Sequence, residues 1–180
     1  KTQGWVAGLA LILESGKTRG IKLSDPDGFS SEEIFDYFSN ETLYVINDQI
    51  KNLLYKCAFL PETTVSMANQ LTGKKDAEDI FNQLYYHQIF INKKNYPDPI
   101  YQFHPLFNEY LKSKAKQTFS KTRLREIKRK AVKILLTASY FETAIELIID
   151  IQDWQWFEKL IVELAPDLIA QGKNQLLIKW

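Results

Sequence analysis

The fold is decided between residues 80 and 107, which read Ile80-Phe81-Asn82-Gln83-Leu84-Tyr85-Tyr86-His87-Gln88-Ile89-Phe90-Ile91-Asn92, then Lys93 to Pro99, then Ile100-Tyr101-Gln102-Phe103-His104-Pro105-Leu106-Phe107. The hydrophobic period changes inside this stretch. Ile80, Phe81, Leu84 and Tyr85 recur at helical spacing and are expected to face inward. Residues 88–92 and 100–103 are short and rich in β-branched and aromatic residues, so they read as two strands. The segment between them, Lys93 to Pro99, is polar and contains two prolines, and reads as a loop. Pro105 then opens a new helix, where its missing N–H costs nothing.

Upstream, Asn47 or Asp48 caps a helix with Ile50, Leu53, Leu54 and Cys57 inward. Thr63 or Thr64 opens a second, with Val65, Ala68 and Leu71 inward, and Gly73 stops it. Asp76 opens a third. Three helices, a hairpin and a closing helix is the order of a winged-helix domain. Before it, residues 4–14 read as a short apolar helix, residues 16–28 as a loop, and residues 31–45 as a helix capped by Ser30 or Ser31 with Glu33 in a capping box. After it, helices are expected at about 121–138, 140–151, 153–164 and 166–172, with a last one from Asn174. Their small/large spacing suits packed helical hairpins of a superhelix resembling the tetratricopeptide type. The expected fold class is mainly α: a helical segment at 1–45, a winged helix with a short β-hairpin at 46–118, and the start of a helical-repeat domain at 119–180.

Composition narrows the function. The chain has 180 residues, 45% hydrophobic and 25% charged, enough for real cores and too apolar for disorder. Its net charge of +1 provides no global field for nucleic acid or membrane. A single cysteine, Cys57, excludes an intramolecular disulfide framework and any CxxC metal site. Two histidines, His87 and His104, argue against a His-rich metal centre. Glycine and proline are scarce, which favours long helices. The near-apolar run from Trp5 to Leu13 is too short to span a membrane, and no signal peptide is evident. The chain starts at Lys1 and stops on Leu176-Leu177-Ile178-Lys179-Trp180, so both ends are expected to continue into a longer protein.

The neutral total conceals segregation. Residues 112–133 carry ten Lys/Arg against one acid, Glu126, while residues 142–167 carry seven acids against Lys159 alone. The basic run is expected to be a solvated helix face whose long side chains cover apolar surface. Its alternative is a phosphate-binding patch. In DNA-binding winged helices the third helix enters the major groove. Here that segment holds Asp76, Glu78 and Asp79 and no Lys or Arg, so it would repel phosphates.

Gly16-Lys17-Thr18 imitates the end of a phosphate loop, but the first glycine of G-x-x-x-x-G-K-[ST] should stand at position 11, which is Leu11. It reads as a solvated turn. Cys57 reads as a buried, inert thiol. His87 suits a structural or exposed role. His104 stands between a strand and a helix N-terminus, a place where an anion is well received. No carboxylate pair or nucleophile–His–acid set converges, so catalysis is not expected.

A set of short segments resembles a known family. They are Gly4-Trp5-Val6-Ala7-Gly8-Leu9, Ile34-Phe35-Asp36-Tyr37-Phe38 with Glu41 and Leu43, Leu84 to Phe90, Tyr101-Gln102-Phe103-His104-Pro105-Leu106-Phe107 with Tyr110-Leu111, Ala144-Ile145-Glu146, Asp153-Trp154, and Gly172 with Leu176 and Trp180. In order and spacing they resemble the MalT-like, LuxR-family regulators of the STAND class of signal-transduction ATPases. The resemblance implies a parent with a nucleotide-binding domain, a small helical domain, a winged helix and a superhelical inducer sensor. This chain would hold the end of the helical domain, the winged helix and the first sensor helices. ATP or ADP is then expected for the parent and no cofactor for the fragment. The expected partners are its own nucleotide-binding and sensor domains and, on activation, further copies. DNA would be met only through a domain outside the chain, and the location would be cytoplasmic. His104 matches the histidine that touches the ADP phosphate in related ATPases. Val6 stands where those proteins place a proline against adenine, so an adenine contact there would be weakened. The alternatives are a nucleic-acid-binding winged helix using residues 112–133 and a helical interaction scaffold.

Overall fold

The computed structural model describes residues 46–86, 90–95, 97–172 and 174–180. The chain divides into two compact units, residues 1–45 and 46–180. The helices expected at 4–14 and 31–45, the loop at 16–28, Val6, the Gly16-Lys17-Thr18 turn and His87 lie outside the described residues.

Helix α1, Asp48–Cys57, is capped by Asn47, whose side chain accepts from the Ile50 N–H at 2.9 Å. Strand β1 is the two-residue Thr63–Thr64. Thr64 also caps α2, Val65–Thr72, which ends at Gly73 with φ +76. Helix α3 is Ala77–Tyr86. Strands β2, Ile91–Asn95, and β3, Pro99–Phe103, form the hairpin, and α4, Pro105–Thr118, follows directly. The sheet order is β1-β3-β2, all antiparallel, with Ile91 opposite Phe103 and Thr63 opposite Tyr101. Three helices, a small sheet and a closing helix constitute the winged helix read from the sequence, within a mainly helical fold.

The core follows the helical and strand periods. Leu54, Cys57, Phe81, Phe107, Tyr110 and Leu111 are fully or almost fully buried. Burying a Leu or Phe side chain of this kind contributes roughly 1.5–3 kcal/mol. Phe81 stacks on Tyr101 with ring centroids 4.5 Å apart, which pins the third helix to the central strand. Phe107 meets Phe90, Phe103 and Tyr110, so the closing helix seals the base of the hairpin.

Four expectations are corrected. A third strand, β1, precedes α2; at two residues it is too short to carry a period. The first hairpin strand, expected at 88–92, runs Ile91–Asn95, because Phe90 has φ +48, outside the strand region. Lys93 to Asn95 therefore belong to the strand and not to the loop. As β2 is the sheet edge, its polar residues face water without ending it. Tyr85 points outward at 48% exposure, since Phe81 and Leu84 fill the inward face. Val65 is half-buried, and Met67 takes the interior position.

Beyond α4 the chain continues as α5, Lys121–Thr137, α6, Phe141–Asp150, α7, Trp154–Ala170, and α8, Asn174–Lys179. The break expected at residue 165 does not occur, and α7 carries Pro166 inside it. Proline removes one N–H from the ladder and leaves the carbonyl of Val162 without it. Both residues lie on the solvent face, where that carbonyl need not be satisfied within the protein. Helices α5 and α6 pack as a hairpin, and α6 then packs on α7. The two turns are built alike. The Tyr140 N–H reaches the Leu135 carbonyl at 2.9 Å, and the Asp153 N–H reaches the Ile148 carbonyl at 3.2 Å. Each turn passes through a left-handed residue, Ser139 at φ +63 and Gln152 at φ +55.

Candidate functional site

The winged helix offers two places where chemistry could be directed at a partner: the exposed face of α3 and the start of α4. Helix α3 exposes Glu78, Asp79, Asn82, Gln83, Tyr85 and Tyr86. No cation lies on it, and its acids sit in the first turn, where the helix dipole favours them. The ammonium of Lys93 on β2 is drawn onto the helix: it lies 3.2 Å from the Asn82 amide oxygen, 5.7 Å from the Tyr85 ring centre and 5.5 Å from that of Tyr101. With these acids and no Lys or Arg, the face disfavours a phosphate backbone.

His104 is the junction of the hairpin and the closing helix. Its backbone N–H donates to the Phe90 carbonyl at 2.9 Å, and its own carbonyl accepts from the Asn108 N–H at 2.9 Å. It is the N-cap residue of α4, and its side chain makes no capping bond. Pro105 follows at the first helical position. The backbone is thus fixed on both sides, and the half-buried imidazole is aimed from a rigid position. Burial holds its pKa below the ordinary 6.5, so the ring is neutral at pH 7 and carries one N–H donor. An imidazole donor at the positive end of a 14-residue helix is a donor set that fits a phosphate oxygen. Val6, the second candidate, lies outside the described residues.

Two networks tie the winged helix to the following helices. The Glu62 carboxylate, just before β1, accepts from Lys94 of β2 at 2.7 Å and from the Tyr140 hydroxyl at the α5–α6 turn at 3.0 Å. These two bonds, Lys94 first, hold its pKa below the usual 4.5. Lys128 of α5 is 6% exposed. Its ammonium pairs with Asp150 at the end of α6 and lies 5.4 Å from the ring centre of Phe59 after α1. Sequence reading placed Lys128 in a solvated basic run, and only the packing of α5 reveals it as a buried bridging residue. Arg129 similarly pairs with Asp153 at 3.2 Å and stacks near Trp156.

Cys57 is completely buried, and burial pushes its thiol pKa up to about 12. Among the described residues no group of His, Cys, Asp and Glu could hold a metal ion, and no helix is long and apolar enough to cross a membrane.

The helix order, the sheet and the closing helix define a winged-helix domain whose third helix is acidic. The family model of the MalT winged helix domain matches residues 39–123. The chain is 22% identical over 179 residues to the HTH-type transcriptional regulator MalT of Vibrio cholerae, which covers 97% of this chain and 20% of that relative. It is 21% identical over 181 residues to the regulator of the same name from Yersinia pestis, covering 98% of this chain and 20% of the relative. The chain is similar to these MalT regulators over nearly all of its length, and it spans about a fifth of the length of the curated relatives it matches.

Proposed function

We propose that this chain is a non-catalytic regulatory segment of a transcription regulator of the STAND ATPase class. Its winged helix transmits the nucleotide state of the parent to a superhelical sensor. In this reading residues 1–45 end a helical domain, 46–118 are the winged helix, and 119–180 begin the sensor. The parent binds ATP or ADP, assembles on activation, meets DNA through a separate domain, and works in the cytoplasm. The observation that carries the reading is the placement of His104: an imidazole at a helix N-terminus, its backbone tied to Phe90 at the foot of the hairpin.

His104 donates to a phosphate oxygen of bound ADP and holds the winged helix against the nucleotide-binding domain. Withdrawal of that contact on exchange for ATP releases the winged helix. The Glu62–Tyr140 bond and the Lys128 ammonium over the Phe59 ring join the winged helix to α5 and α6 and then carry the movement into them. Val6 takes the position of the adenine-side proline and gives a weaker contact there.

The test is His104→Ala in the full-length parent. A lost hydrogen bond to a charged phosphate costs about 1.5–3 kcal/mol, so ADP should dissociate roughly tenfold faster or more. Reporter transcription should rise without inducer. Unchanged ADP retention in a folded variant refutes the role of His104.

A further inference from the structure

The foot of the hairpin carries a strained residue beside His104. Among the described residues, the non-glycines with a positive φ are Phe90, Ser139 and Gln152. Ser139 and Gln152 are exposed polar residues just past helix ends, where a left-handed residue is ordinary. Phe90, at φ +48, is a bulky aromatic residue immediately before β2. A left-handed backbone crowds its Cβ, and aromatic residues favour the extended region instead. Strain of this kind persists only where the surroundings hold it, and it concentrates at switches and ligand clamps.

The surroundings of Phe90 do hold it. Its carbonyl accepts from the His104 N–H at 2.9 Å. Its ring centre lies 5.2 Å from that of the fully buried Phe107. The next residue, Ile91, is buried and paired opposite Phe103 in the sheet. The helix on the other side of the connection is anchored as well. Phe81 of α3 stacks on Tyr101 at 4.5 Å, and the Tyr101 hydroxyl donates to the Asn82 amide oxygen at 3.2 Å. With α3 and β2 both anchored to the central strand, the relief open to residue 90 is a turn of its own peptide and ring. That turn gives up the bond to His104.

We propose that Phe90 is a positioning residue for His104, and that its left-handed backbone stores strain that makes the His104 contact releasable. The inference rests on the reading of His104 as a phosphate donor. In the held conformation the Phe90 carbonyl fixes the His104 backbone and so aims the imidazole. In the released one residue 90 is extended, the His104 N–H has lost this bond, and the ring is no longer aimed. The strain narrows the gap between the two, bringing it within reach of one hydrogen bond to a phosphate. A residue at ease in the left-handed region would hold His104 more firmly and make the resting state harder to leave.

The experiment compares Phe90→Val, Phe90→Gly and Phe90→Asn. All of them remove the ring, and they differ in how well the backbone accepts a left-handed conformation: poorly for valine, readily for glycine and asparagine. In the full chain, hydrogen exchange of the His104 amide reads the bond to Phe90 directly. It is taken relative to the core amides of α4, which report global unfolding and so separate the local effect from a folding defect. Exchange should be roughly fivefold or more slower in Phe90→Gly and Phe90→Asn than in Phe90→Val. Packing alone gives the opposite order for Phe90→Gly, since valine fills more of the space left by the ring. In the full-length parent, ADP should dissociate more slowly from Phe90→Gly and Phe90→Asn than from Phe90→Val, with His104→Ala measured alongside. The proposal is overturned if Phe90→Val protects the His104 amide as well as the other two, or if the three release ADP at one rate while His104→Ala releases it faster. If His104→Ala leaves ADP release unchanged, the phosphate reading fails and takes this proposal with it.

Discussion

Cys57 and His104 show how the same physical effect, burial, leads to opposite uses of a side chain. Cys57 is fully buried, as are Leu54, Ala58 and Leu60 near it in the chain, and a thiol pKa pushed up to about 12 leaves essentially no thiolate at neutral pH. In native protein it should resist a chromogenic disulfide reagent, and labelling should follow global unfolding in denaturant. Rapid labelling without denaturant would contradict the burial. His104 is only half-buried and is kept neutral by that burial. The neutral ring gives a directed donor without the cost of desolvating an imidazolium. Its position was legible in the sequence because a strand ending at Phe103 and a proline at 105 bracket it. Its fixed backbone was not, because the partner of its N–H is Phe90, across the hairpin.

At the scale of elements, the acidic third helix was readable from composition alone, and folding leaves Glu78 and Asp79 exposed on it. The edge strand and α7 were misread for one shared reason. Polar residues in β2 and a proline in α7 are signals of termination only if the backbone groups they disturb are buried. On an edge and on a solvent face they are not. The turns after α5 and α6 carry a local strain that is testable. Gln152 is exposed and left-handed, so Gln152→Gly removes a Cβ penalty at some cost in unfolded-state entropy. Thermal denaturation should show stabilisation of about 0.5–1 kcal/mol. Destabilisation would mean that the Gln152 side chain contributes something beyond the turn.

At the scale of the whole described unit, the winged helix and the hairpins that follow are joined by polar bonds as well as by packing. Glu62 joins the wing strand β2, through Lys94, to the α5–α6 turn, through Tyr140. Lys94 is 60% exposed, so that ion pair contributes little, and the partly buried Tyr140 bond should dominate. A double-mutant cycle of Glu62→Gln and Tyr140→Phe should give a coupling of about 1 kcal/mol by denaturant unfolding. The sign of its pH dependence follows from the lowered pKa of Glu62. The coupling is fully present above the ordinary 4.5 and is lost as pH falls through the folded-state value below it. A coupling that persists in acid would exclude the carboxylate as its source.

The sequence by itself determined the order of the winged-helix elements, most of the buried positions on its first three helices, the acidic third helix and the bracketing of His104. Each of these is local, set by side-chain period, caps and the backbone limits of proline and glycine. Tertiary structure alone decided the third strand at Thr63–Thr64, the extent of β2, the continuity of α7 through Pro166, and the burial of Lys128. These depend on which residue lies opposite, and on whether a polar group meets water or another element. Neither is fixed until distant segments of the chain are packed together.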